Sequence, residues 1–134
     1  MWINEVINHS LHESQIKQFI ISNSKIIIEF SEGFSTIEPN GKLSIPLHDC
    51  CIELSINNLN TDTIDNHLMI MQINKKKIKY INYSSFEKKL CNHTFDVDLD
   101  YCSKFPHSLS LIGNINNKRF IVTIFDIINA KYKY

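Results

Sequence analysis

The sequence predicts a mainly β, single-domain protein: an antiparallel β-sandwich or barrel-like sheet with one or two short helices, spanning residues 1–134. Three observations carry this. Ile is used heavily while Ala occurs once, at Ala130; Ile suits strands, and Ala is the best helix former. Apolar and polar residues alternate with period two in several stretches, most clearly in Phe95-Asp96-Val97-Asp98-Leu99-Asp100-Tyr101. The connections between such stretches are of hairpin length, with none of the strand–helix–strand alternation that a parallel sheet requires.

Taken in order, Ile3, Val6, Ile7 and Leu11 recur at helical spacing and predict a short amphipathic helix. Residues 15–21 and 25–30 are rich in β-branched and aromatic residues and flank Ser22-Asn23-Ser24, a turn signal. Glu32-Gly33 bends the chain before a short strand over 34–37. Pro39-Asn40-Gly41 is a turn, because Asn-Gly tolerates positive φ, and Pro46 reduces 43–47 to an edge strand or loop. Cys50, Ile52, Leu54 and Ile56 share one face of the next strand. Residues 57–66 are polar and turn-rich and read as a surface loop.

Residues 67–73 and 77–83 bracket Asn74-Lys75-Lys76 as a hairpin. Ser84 and Glu87 then fit a capping box opening one or two helical turns. In the alternating stretch Phe95, Val97, Leu99 and Tyr101 would face the core and Asp96, Asp98 and Asp100 the solvent. Lys104-Phe105-Pro106 ends that strand. Leu109, Leu111, Gly113 and Ile115 alternate, Asn116-Asn117 turns, and residues 118–128 run back as one long strand.

The bulk numbers narrow the function. Lys plus Arg and Asp plus Glu are each 14, and Arg119 is the only Arg. Binding to nucleic acid through excess positive charge or bidentate Arg readout is therefore disfavoured. The 43% hydrophobic content belongs to a globular chain. No basic region followed by an apolar run opens the sequence, and no apolar run approaches a membrane span. These features predict a cytoplasmic protein with four reduced cysteines.

Motifs for catalysis or cofactors are sparse. Asp96, Asp98 and Asp100 offer carboxylates, but next-but-one positions on a strand stand about 6.5–7 Å apart along the chain, wide for one cation. His9 and His12 read as surface histidines, since no third ligand is pinned by spacing. Cys91, His93 and Cys102 lack the close paired spacings of structural zinc, and Cys91 and Cys102 read as small packed residues. Gly-x-Ser-x-Gly and both phosphate-binding glycine motifs are absent. The expectation is a non-enzyme without cofactor or metal, for which a small-molecule ligand is disfavoured. The competing reading is a β-barrel enzyme or small-ligand carrier with an internal cavity. Lys75-Lys76-Lys77 reads as a solvated turn that protects a sheet edge.

In its size, its Ile/Asn/Lys-rich single domain, its lack of catalytic motifs, and features such as Trp2-Ile3-Asn4-Glu5 and the 25–30 strand leading into Glu32-Gly33-Phe34, the chain resembles the immunity proteins of bacterial toxin–immunity systems, including those of contact-dependent growth inhibition. That resemblance implies a tight complex with a cognate toxin domain, often a nuclease, and no direct contact with nucleic acid or membrane. Asp96, Asp98 and Asp100 are the residues expected to meet a basic toxin surface. The net charge of +0 departs from the strongly acidic members of that class.

Overall fold

Strands begin and end in the computed structural model where turn residues stand. It describes residues 9–11, 13–31, 35–36, 50–104 and 107–133. Among them are eleven strands: β1 (His9–Ser10), β2 (Gln15–Ser22), β3 (Lys25–Phe30), β4 (Ser35–Thr36), β5 (Cys51–Ile56), β6 (Leu68–Asn74), β7 (Lys77–Ile81), β8 (Phe95–Lys104), β9 (His107–Ile115), β10 (Lys118–Ile124) and β11 (Ile127–Lys133). A 3-10 turn covers Ile64–Asn66, and the helix α1 covers Tyr83–Leu90.

Nine strands form one sheet in the order β11-β5-β3-β2-β8-β9-β10-β6-β7, while β1 and β4 pair separately. Every pairing is antiparallel, as the hairpin spacing predicts. The sheet is not closed, so the barrel form of the expectation gives way to a curled open sheet. Its curl brings β9 against β11, where His107 Nδ1 donates to the Ile127 carbonyl at 3.1 Å. Two-residue turns do the local work. Asn116 and Asn117 both take left-handed backbone, φ 48° and 65°, which matches the twist of the strands they join and which Asn tolerates.

The inner face buries the alternating apolar residues of β3, β5, β9 and β10, among them Ile26, Ile28, Ile52, Leu54, Leu111 and Val122. Against it lies α1, whose Phe86 is fully buried and meets the rings of Phe19, Phe95 and Phe120 edge-on, with centroids 5.8, 5.9 and 5.8 Å away. The interior at this point is filled by aromatic side chains. Tyr83, at the start of α1, is buried as well and donates its hydroxyl to the Phe19 carbonyl at 3.2 Å. Burial holds its pKa well above the usual tyrosine value, and a hydrogen bond and the negative charge of Glu87 push the same way.

Several expectations are corrected. His9–Ser10 is a strand rather than the end of a helix, because it pairs with β4; residues 1–8 of that expected helix lie outside the described residues. So do His12, the Glu32-Gly33 bend, Pro39-Asn40-Gly41, the 43–47 segment and Pro106. The helix cap is Asn82, whose side chain accepts from the Ser85 backbone N–H at 2.9 Å, so Ser84 lies inside α1 and the strand before it ends at Ile81. The 57–66 loop tucks Leu59 and Ile64 into the core. The long final strand is two strands: Asp126 takes a left-handed backbone (φ 62°) that sends β11 off to β5. Cys91 is exposed beyond the end of α1 rather than packed.

Candidate binding surface

The largest correction concerns β8, and it creates the surface. Val97 pairs with Gly113, but Leu99 pairs with Ile112, so Asp98 is an extra residue in the strand. A β-bulge of this kind reverses which face each later residue takes. Phe95 and Val97, before it, are buried as expected; Leu99 and Tyr101, after it, are 58% and 66% exposed. The bulge falls where β8 loses one of its two neighbours. Before it, Gln15 and Ile16 of β2 pair with Asp96 and Phe95, and Val97 exchanges backbone hydrogen bonds with Glu13 and Ser14 at 2.8 and 2.9 Å. On its other side β8 pairs with β9 both before and beyond the bulge, and beyond it β9 alone remains. Gly113 makes the bend possible: a Cβ there would stand 2.1 Å from the Asp96 carbonyl oxygen and 2.6 Å from the Phe95 ring.

Cross-strand partners share a face, so register alone lays out what Leu99 joins. Leu99 is opposite Ile112, Ile112 opposite Ile121, Ile121 opposite Met71, and Met71 opposite Tyr80. This apolar row crosses five strands on the outer face. Ile112, Ile121 and Met71 are half-buried, and Tyr80 is 66% exposed. One flanking row runs from Tyr101 through Ser110 and Thr123 to Met69, with the two hydroxyls 3.0 Å apart in a hydrogen bond. The other runs from Asp96 through Asn114, Arg119 and Ile73 to Ile78.

Asp96 and Asp98 border this face at β8, whereas Asp100, opposite Leu111, is turned by the bulge to the inner face. Asp96 is exposed and accepts from the Thr94 hydroxyl at 2.8 Å. Asp98, the bulged residue, is half-buried and ion-paired to Arg119, reaching across β9. Asp100 is half-buried rather than fully solvated. The three carboxylates therefore do not form the even outward stripe that alternation predicts. Among the described residues, no group of three or more His, Cys, Asp or Glu side chains gathers as a metal site, and no helix is long and apolar enough to cross a membrane.

Strict alternation puts Leu99 and Tyr101 on the inner face, the opposite of where they lie, and does not single out Ile112, Ile121, Met71, Ile78 and Tyr80 as one outer surface. Gly113 was the available signal, since an isolated Gly within a strand pattern marks a bulge or a close backbone approach. Neither a family model, nor a curated protein, nor a solved structure matches this chain.

Proposed function

We propose that this protein works by binding another protein, and that it is an immunity protein which neutralises a cognate bacterial toxin in the cytoplasm by forming a tight complex. The observation that carries the reading is the apolar row from Leu99 to Tyr80 on the outer face, with Leu99, Tyr101, Ile78 and Tyr80 all more than half exposed. Contiguous exposed apolar surface bordered by polar residues is characteristic of interaction sites, and tyrosines are favoured anchors in them. Asp96, exposed at the edge of this face, fits a partner whose contact surface is apolar at its centre and carries a basic group at its edge. A nuclease toxin has such an edge, because its substrate is a polyanion, and complementary charge would speed the encounter.

Co-expression tests this. The product of the reading frame beside this one should arrest growth when expressed alone, and growth should return when this protein is supplied. Leu99→Asp with Tyr101→Asp should abolish rescue while the variant remains folded by circular dichroism. A neighbouring product that is harmless, or whose toxicity this protein does not relieve, would refute the immunity reading. Rescue that survives the double substitution would remove the outer face from the interface.

A further inference from the structure

At the far end of the sheet, β7 has β6 on one side and no strand on the other among the described residues. In an antiparallel edge strand, alternate residues direct their N–H and C=O groups away from the neighbour, ready to pair with another chain. Along this edge lies a groove of about 500 Å3, lined by Lys79, Tyr80 and Asn82 on the strand side and by Ser85, Lys88 and Lys89 of α1. Lys79 lies opposite Gln72, on the face covered by α1, while Tyr80 lies opposite Met71 on the outer face. Residues from both faces of β7 thus border one groove, which places it beside the strand. No carboxylate lines it among the described residues.

We infer that this edge is a second binding site, one that takes an extended segment of a partner protein as an added strand with alternating acidic and apolar side chains. Side chains of an added strand point alternately to its two faces. On one face they would meet Lys79, Lys88 and Lys89, which carboxylates satisfy. On the other they would meet Ile78 and Tyr80, exposed by 58% and 66%, and would prolong the apolar outer row by one strand. Charge selects this occupant over a second copy of the protein. Two β7 strands paired antiparallel would bring Lys77 and Lys79 of each copy together, and like charges directly opposite are unfavourable. The site goes beyond the immunity reading, since it holds whether or not the partner is a toxin.

The test uses the full chain, labelled with 15N, and the synthetic peptide acetyl-Val-Asp-Val-Asp-Val-Asp-Val-amide. The peptide should shift the amide signals of Lys77–Ile81 and of Lys88 and Lys89. The same peptide with alternate amides N-methylated should shift none of them, nor should its Lys-for-Asp counterpart. Lys79→Glu with Lys88→Glu, both exchanges at the surface, should weaken binding about tenfold or more. Absence of shifts at millimolar peptide would overturn the inference, as would equal binding of the N-methylated peptide or an undiminished affinity in the double variant. Shifts of Lys77–Ile81 that depend on protein concentration without peptide would mean self-pairing and would overturn it too.

Discussion

Val97→Asp and Leu99→Asp introduce the same side chain two positions apart on one strand, so strand propensity cancels in the comparison. Val97 is 1% exposed and stands before the bulge. Losing its burial costs roughly 1.5–3 kcal/mol, and an unpartnered carboxylate placed there adds a desolvation cost of at least a few kcal/mol. The sum is a large fraction of the ~5–15 kcal/mol by which a domain is stable. Leu99 is 58% exposed, so less than half of its burial is at stake, about 1 kcal/mol, and the new carboxylate stays in water. Urea unfolding followed by circular dichroism should therefore find Leu99→Asp folded, with a modestly lowered midpoint, and Val97→Asp largely unfolded before denaturant is added. Equal losses, or a greater loss at Leu99, would mean that β8 keeps strict alternation and that the bulge reasoning is wrong.

Gly113→Ala should lose about 1–3 kcal/mol as overpacking, because the added methyl would meet the backbone of Asp96 2.1 Å away; urea midpoints check it. Asn82→Ala should cost about 1 kcal/mol through loss of the helix cap, whereas Ser84→Ala should be close to silent, and thermal melts of the two variants side by side decide which residue is the cap. The raised pKa of Tyr83 means that the folded state holds its proton more firmly than the unfolded chain, so its contribution is complete below the ordinary value of 10.0 and falls as pH rises beyond it. Tyr83→Phe should accordingly show a shallower loss of stability above about pH 10 than the parent, measured by urea unfolding across that range.

Much of the fold is legible because it is written in local chemistry. Asn116-Asn117 and Asn23-Ser24 turn where they are read to turn, and Cys50, Ile52, Leu54 and Ile56 point inward as their spacing requires. The errors share one cause: each arises where a distant part of the chain decides. Asn82 caps α1 although Ser84 and Glu87 form the better local motif, since the chain approaches from β7 and Asp65 accepts from the Tyr83 backbone N–H at 2.7 Å. Asp126 breaks the final strand because β5 offers a new partner. The seven-residue alternation of β8 holds no trace of its bulge, which is set by β2, β9 and Gly113 together. Because the outer apolar face depends on that bulge, the candidate site was the part least visible in the sequence.

The pairing of β11 with β5 has a kinetic meaning. Ile127 lies on Ile56, and five strands and α1 stand between them along the chain. The hairpins β2–β3, β6–β7, β8–β9 and β9–β10 join strands adjacent in sequence and can form early at little entropic cost. Closure of β5 must wait for the far end of the described chain. Until then the backbone groups on that side of β5 stay unpaired, an edge open to other chains. Docking of β11 pairs that side of β5 and moves the edge of the sheet to β11 itself, so its rate sets how long the β5 edge stays open.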